Sequence, residues 1–216
     1  MKEVSVFFKK IKDKNFLISI SCLMLLQAVI YFFIKFCQSD YHYINATIDT
    51  NIPFIPWFIY IYNLFYPFVF LSLYYIYCKD MNKYYRGVMA GIVGYLICDI
   101  IYLIYPTIMI RSDISSIPMD YLTMLVVKIT YYFDEPALNC FPSIHCLFCF
   151  QVIFTTFVSK NVNIKNKTII SVIGLLIIIS TLFVKQHYFY DVIAALGVCI
   201  IANTMIYLIK RILLKK

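Results

Sequence analysis

The sequence predicts an all-α, polytopic membrane protein, a bundle of six transmembrane helices with both termini in the cytoplasm. Hydrophobic residues make up 62% of the 216 residues and charged residues only 14%, and the mean hydropathy of +0.82 is too high for a soluble domain. Apolar runs of about 20 residues, long enough to cross the hydrocarbon core of a bilayer, recur along the chain. We count six, at residues 16–36, 57–77, 88–109, 143–158, 168–184 and 189–209.

Basic residues occupy alternate segments between these runs, and this pattern predicts the orientation. Of the 19 Lys and Arg residues, 15 lie before the first run, between the second and third, between the fourth and fifth, or after the sixth. The positive-inside rule then places both termini in the cytoplasm. The net charge of +8 therefore indicates contact with a membrane surface and its anionic headgroups, and it predicts no nucleic-acid partner.

The first three runs and the segment that follows them are explained by membrane physics. The first is expected to be retained, because no small-residue cleavage site follows it, and Trp57 opens the second as an interfacial anchor. Asp99 lies near the middle of the third, where we expect a buried hydrogen bond between spans. Residues 118–136 carry apolar side chains at helical spacing and predict an outer interfacial helix that flanks a lipid entrance. With no repeat or second domain visible, residues 1–216 are expected to form a single integral membrane domain.

Polar residues gather at the outer ends of the later runs. In the predicted topology, the outer side receives five of them: Arg111, His145, Lys185, His187 and Asp191. A short polar constellation at the rim of an apolar protein suggests chemistry on a lipid-borne group. The remaining histidine, His42, has no motif around it and is assigned to a surface loop.

The start of the fourth run predicts an anion site. Pro142 suits the first helical position, and Ser143 or Asn139 can accept a hydrogen bond from the first turn. The unpaired N–H groups there attract phosphate oxygens, with Ser143 as a candidate phosphate-binding residue. His145 stands in this first turn, close enough to exchange a proton with a bound atom.

The start of the sixth run predicts an oriented histidine. His187 and Asp191 are four residues apart, so on a helix they share a face, where the carboxylate can hold one ring nitrogen and leave the other as nucleophile or base. Arg111 and Lys185 supply positive charge for phosphate binding. These groups together match the needs of phosphoryl transfer: charge neutralisation, a nucleophile and an acid for the leaving oxygen.

Two motifs resemble those of the type 2 phosphatidic acid phosphatase and vanadium haloperoxidase superfamily. Residues 142–145, PSIH, resemble its PSGH signature, and Ser180-Thr181 with His187 and Asp191 resembles its SRxxxxxHxxxD motif. The resemblance implies a six-helix bundle that needs no metal or other cofactor. By the same resemblance, His187 attacks phosphorus to form a phosphohistidine, Asp191 orients His187, and His145 protonates the leaving group.

The resemblance is strongest over residues 105–209 and has departures. Thr181 stands where the family has a phosphate-binding arginine, Ile144 replaces the glycine of PSGH, and the KxxxxxxRP motif is incomplete around Arg111. The segments FPSIH and HYxxDV look more like the inositol phosphorylceramide synthase branch. Lys185 could replace a missing cation, although lysine offers a point charge instead of a bidentate fork.

These observations leave three functional hypotheses. The first is a membrane lipid phosphatase that hydrolyses a phosphomonoester or diphosphate lipid, of the phosphatidic acid or undecaprenyl diphosphate type, at the extracytoplasmic face. The alternative is a lipid phosphotransferase, in which an alcohol acceptor replaces water. The third is a non-enzymatic protein that binds a metal ion, haem or quinone through His145 and His187, although Arg111 and Lys185 would oppose a cation. No protein partner is implied.

Overall fold

The structure is a computed structural model that describes residues 13–38, 40–44, 46–111, 114 and 117–213. Helices account for 75% of these residues, and no strand occurs among them. The helices are α1 (Lys14–Phe36), α2 (Thr47–Asn51), α3 (Phe58–Asn63), α4 (Phe65–Lys79), α5 (Met81–Ile104), α6 (Tyr121–Phe133), α7 (Ile144–Val158), α8 (Ile164–Phe183) and α9 (Phe189–Leu213). The all-α prediction is therefore confirmed.

Four helices, α1, α5, α8 and α9, are long and apolar enough to cross a membrane. The other two predicted spans correspond to α3 with α4, which are interrupted at Leu64, and to α7, which has only 15 residues. α7 packs against α4, α5, α8 and α9, so it is enclosed by protein along much of its length. Six spans and the orientation of the termini remain predictions.

The third predicted span has different boundaries in the structure, because a helix cap sets its start and a proline sets its end. α5 begins at Met81, seven residues before the predicted start, because the Asp80 side chain accepts a hydrogen bond from the backbone N–H of Lys83 at 3.1 Å. It ends at Ile104 instead of Met109, since Pro106 disfavours helical geometry at the residue before it.

α5 and α7 pack closely, with the N-terminal part of α5 against the C-terminal part of α7. A Cβ atom at Gly87 of α5 would lie 2.5 Å from Oγ1 of Thr155, so only glycine permits this approach of the two helices. On the other side of α5, Nε2 of Gln27 in α1 donates to Oδ1 of Asp99 at 3.2 Å, the expected hydrogen bond between spans.

α6 has the properties of the predicted interfacial helix. Its N-cap Asp120 accepts a hydrogen bond from the Thr123 N–H at 3.0 Å. Most of the predicted apolar face is exposed, namely Leu122, Leu125, Ile129 and Phe133. An exposed apolar face suits a helix that lies against lipid.

Several chain segments meet at one end of the bundle. The Ser143 N–H donates to the Asp191 carbonyl at 3.1 Å, joining the starts of α7 and α9. The Tyr131 hydroxyl of α6 donates to the Val184 carbonyl, after α8, at 2.8 Å. At the opposite end, the Ser159 hydroxyl donates to Asp80 at 2.7 Å, which joins the α7–α8 and α4–α5 turns. The predicted convergence of the polar residues at one end is therefore correct.

Candidate active site

The His145 and His187 rings lie side by side, with their centroids 5.7 Å apart. His145 is the second residue of α7, and His187 belongs to the turn between α8 and α9. Both line one cavity of about 390 Å³. The structure thus brings together the two histidines that the sequence analysis selected.

The Asp191 carboxylate contacts His187, but not across a helical face as the sequence suggested. α9 begins at Phe189, so His187 precedes the helix. Oδ2 of Asp191 accepts a hydrogen bond from the Tyr188 N–H at 2.8 Å and lies 3.3 Å from Nδ1 of His187. The carboxylate therefore holds the turn and Nδ1 together, which leaves Nε2 of His187 as the free ring nitrogen.

A Schellman motif at the end of α8 sets the position of His187. The Gln186 N–H donates to the Thr181 carbonyl at 2.9 Å, and the Lys185 N–H donates to the Leu182 carbonyl at 3.2 Å. Lys185 occupies the left-handed position of this motif, with φ of 50°. The His187 N–H also donates to the Thr181 carbonyl, at 3.2 Å. Thr181 thus positions the turn through its backbone and brings no charge to the site.

His145 is held by aromatic side chains that the sequence analysis did not select. Its Nε2 lies 3.3 Å from the Tyr62 hydroxyl, and its ring centroid lies 4.4 Å from that of Phe65. Tyr62 comes from α3 and is buried. No sequence signal distinguishes it from the other tyrosines of the chain, 20 in all.

The start of α7 corrects the assignment of two residues. Ser143 is the N-cap, and its hydroxyl accepts a hydrogen bond from the Cys146 N–H at 3.2 Å, as expected. Pro142 precedes the cap instead of occupying the first helical position. Ser143 is fully buried, and its hydroxyl and N–H are both used inside the protein, so its role here is to fix the helix start.

Arg111 lies behind the cavity wall. Its guanidinium pairs with Asp134, contacts Glu135 at 3.5 Å and lies 4.4 Å from the Tyr131 ring. It also donates to Oε1 of Gln186 at 3.0 Å. The expected phosphate-binding cation is therefore one layer away from the cavity, and its charge is balanced by Asp134 and Glu135.

Lys185 points away from His187, contrary to its expected role in phosphate binding. Its Nζ donates to the backbone carbonyls of Asp49, at 3.0 Å, and Ile52. Burial lowers the pKa of the Lys185 ammonium, and Asp49 acts in the opposite direction. A long side chain takes the direction of its hydrogen-bond acceptors, and here these are carbonyls around the end of α2.

Gln186 and Asp134 line the cavity and were missed by the sequence analysis. Gln186 is 1% exposed, and because arginine can only donate, its amide oxygen must face Arg111. Its Nε2 is buried and finds no hydrogen-bond partner among the described residues. Burial raises the pKa of the Asp134 carboxyl, while Arg111 acts in the opposite direction. Asp134 lies outside both motifs, and Gln186 occupies an unspecified position of SRxxxxxHxxxD, so no motif selects either residue.

The far walls of the cavity are largely aromatic. They include Tyr31 and Phe32 of α1, Tyr66 of α4 and Phe133 of α6. Three of these, Phe32, Tyr66 and Phe133, are more than 60% exposed. The cavity therefore reaches from the histidines to an exposed apolar flank of the bundle.

His42, as expected, is not part of this site. Its ring stacks on Tyr105 at a centroid distance of 4.2 Å, in the segments before α2 and after α5. Within the part of the chain that the structure describes, no three His, Cys, Asp or Glu side chains come together as a metal site would require.

Residues 121–213 match the family model of the PAP2 superfamily. The match contains His145, His187 and Asp191, and it confirms the resemblance to the type 2 phosphatidic acid phosphatase superfamily for this part of the chain. The superfamily indicates phosphatase or phosphotransferase activity on phosphate-containing substrates. Arg111 lies outside the matched residues. No curated protein and no solved structure was found to match the chain.

Proposed function

We propose that the protein is a membrane phosphatase that hydrolyses a lipid phosphomonoester or diphosphate, of the phosphatidic acid or undecaprenyl diphosphate type, through a phosphohistidine. The observation that carries the proposal is the pair His145 and His187, 5.7 Å apart in one cavity. The PAP2 match supports phosphoryl chemistry. We also propose that the site faces the extracytoplasmic side, because most basic residues lie in the segments predicted to be cytoplasmic.

The reaction proceeds in two steps. Nε2 of His187 attacks phosphorus, a P–N bond forms, and the P–O bond to the leaving group breaks while His145 gives that oxygen a proton. Water then attacks phosphorus, His145 takes a proton from it, and the P–N bond breaks to release inorganic phosphate. Asp191, 3.3 Å from Nδ1, keeps His187 in the orientation that both steps need.

The superfamily motif has a phosphate-binding arginine at the position of Thr181. Here Gln186 supports phosphate binding instead. Arg111 holds the amide oxygen at 3.0 Å, so the amide N–H groups are turned away from it and lack a partner within the described residues. A phosphate oxygen would satisfy one of them. Arg111 then acts through Gln186, which it both orients and polarises. The backbone N–H groups of Ile144 and His145, in the first turn of α7 beside the cavity, add a second set of donors.

The cavity walls support a lipid substrate. A soluble phosphate ester needs no apolar surface beyond its phosphate, whereas this cavity continues along Tyr31 and Phe32 to the exposed flank near Phe133. A lipid chain would leave the cavity there and enter the bilayer alongside α6. This arrangement keeps the phosphate near the histidines and the chain in an apolar environment.

A phosphotransferase is the second candidate, and two side-chain oxygens favour it. Oε1 of Gln27 and Oδ1 of Asn139 are buried, lack a partner within the described ranges, and belong to residues that line the cavity. Each would accept a hydrogen bond from an alcohol. In this reaction the alcohol oxygen attacks phosphorus of the phosphohistidine, His145 takes its proton, the P–N bond to His187 breaks, and the phosphate ester of the acceptor leaves.

The test is release of inorganic phosphate by the detergent-purified protein from a panel of phosphate and diphosphate lipids without added metal. We expect release by the parent and by the matched control His42→Ala, and none by His187→Ala. Equal release by His187→Ala would disprove the assigned nucleophile. Metal analysis of the same preparation tests the non-enzymatic alternative, for which a stoichiometric metal and no turnover are expected.

Product analysis separates hydrolysis from transfer. The same protein is supplied with lipid substrate in the presence and absence of polyols and hydroxylated lipids. Inorganic phosphate as the main product under both conditions supports hydrolysis. A phosphorylated alcohol as the main product would show that the reaction is transfer and not hydrolysis. The role assigned to His187 would be unchanged.

A further inference from the structure

A second cavity, of about 610 Å³, lies between the first turns of α5 and the last turns of α9. Three cationic side chains line it: Lys83 and Arg86 from α5, and Lys210 from α9. This cationic cavity is at the end of the bundle opposite the histidines, the end at which Ser159 contacts Asp80. It therefore shares no wall with the candidate active site.

The charges around the cationic cavity are not balanced by the protein that the structure describes. No acidic side chain lines the cavity, and the ion pairs found among the described residues are made by Arg111 and His187. The carboxylate of Asp80 is close in sequence, but it caps α5 and accepts the Ser159 hydroxyl. Three like charges around one cavity repel each other unless an anion joins them.

Arg86 gives an independent indication of a missing partner. Its Nε is buried and has no hydrogen-bond partner among the described residues. Its guanidinium carbon lies 5.7 Å from the Tyr207 ring centroid, so that ring supports one side of the group. A buried guanidinium donor normally finds an acceptor, and a phosphate oxygen matches its geometry.

The surroundings of these cations favour a lipid over a small anion. The cavity is also lined by Met89 of α5 and by Ile209 and Leu213 of α9, each of which is more than 45% exposed. A free phosphate would gain nothing from these side chains. A phospholipid would place its headgroup among the cations and its acyl chains against the apolar residues.

We propose that the cationic cavity binds the headgroup of an anionic phospholipid. The lipid phosphate lies among Lys83, Arg86 and Lys210, and the acyl chains follow the exposed apolar side chains of α5 and α9. In the predicted topology this lipid belongs to the cytoplasmic leaflet. It is a bound component of the membrane and not the substrate.

The test compares lipid retention in native mass spectrometry of the detergent-purified protein. Phosphatidylglycerol is the anionic lipid, phosphatidylcholine the zwitterionic control, and glycerol 1-phosphate the soluble competitor. We expect one retained phosphatidylglycerol per chain, little phosphatidylcholine, and no displacement by equimolar glycerol 1-phosphate. Displacement by the soluble anion would overturn the lipid assignment in favour of a small-anion site.

Matched variants separate this cavity from general surface charge. Arg86→Gln, and separately the double variant Lys83→Gln/Lys210→Gln, should lower phosphatidylglycerol retention by at least about tenfold, since each lost charge-assisted contact weakens binding. Lys165→Gln and Lys160→Gln/Lys165→Gln remove the same charge from the α7–α8 turn and the first turn of α8, at the same end of the bundle. These control variants should lower phosphatidylglycerol retention less than about twofold.

Equal losses of phosphatidylglycerol retention in the cavity variants and in the control variants would overturn the proposal. Melting temperatures in phosphatidylcholine check folding, and if Arg86→Gln does not fold, the double variant alone decides the outcome.

Discussion

The amide oxygen of Gln186 accepts a hydrogen bond from Arg111 at 3.0 Å, which connects the guanidinium to a wall of the histidine cavity. In the proposed function, this pair supplies the phosphate-binding donor that Thr181 cannot provide. The cation remains one layer back, balanced by Asp134 and Glu135, and a neutral amide stands between it and the cavity.

Gln186→Glu tests this arrangement directly. The carboxylate keeps an acceptor for Arg111 but replaces the amide donor with a second acceptor, so phosphate oxygens are repelled. We expect KM and the inhibition constant for inorganic phosphate to rise by about tenfold, or about 1.4 kcal/mol. Glu135→Gln, which removes an exposed partner of Arg111 at 3.5 Å, serves as the control and should change either constant by less than about threefold. Unchanged constants in Gln186→Glu would exclude a role for its amide in phosphate binding.

His145→Ala should have an effect that depends on the leaving group. If His145 protonates the leaving oxygen, a lipid alcohol, which is a poor leaving group, needs this proton most. We expect kcat to fall on the order of a hundredfold or more for such substrates, and much less for an aryl phosphate. Rates with both substrates would be measured for the parent, His145→Ala and Tyr62→Phe. An equal loss on both substrates would indicate that His145 acts as something other than the acid.

Lys185→Met distinguishes a structural lysine from a phosphate ligand. Because Nζ bonds the carbonyls of Asp49 and Ile52, its loss should lower the melting temperature, with a cost of about 1–3 kcal/mol. KM should change by less than about threefold, since the ammonium points away from the cavity. Thermal unfolding and steady-state kinetics of the same preparation provide the two readouts. A tenfold increase in KM at an unchanged melting temperature would restore Lys185 as a phosphate ligand.

The side of the membrane on which the site lies is a separate prediction. In intact cells and in a background that lacks Cys37, an impermeant thiol reagent should label Tyr121→Cys, at the exposed start of α6, and leave Lys160→Cys unlabelled until the cells are permeabilised. Both positions are exposed, so the side of the membrane on which each one lies decides whether it is labelled. The reverse pattern would place the histidine cavity in the cytoplasm and move the cationic cavity to the outer leaflet.

The sequence alone was sufficient to predict the features that depend on local rules. Hydropathy predicted α1, α5, α8 and α9, because crossing a bilayer requires length and apolarity that are visible without tertiary contacts. The start of the fourth run predicted Ser143 or Asn139 as the cap of α7, and Ser143 is the cap, since a cap depends only on the first turn. Motif spacing selected His145, His187 and Asp191, which lie together at one end of the bundle.

The sequence by itself determined the helical class, the helices long enough to cross a bilayer, and the histidine motifs. The tertiary structure alone decided that Arg111 and Lys185 do not line the cavity, and it brought in Tyr62 and Gln186, which no motif specifies. The physical reason is that a long polar side chain extends to the best acceptor within its reach. For Lys185 and Arg111 those acceptors come from segments distant in sequence, the end of α2 and the end of α6. Only the folded chain brings those acceptors within reach.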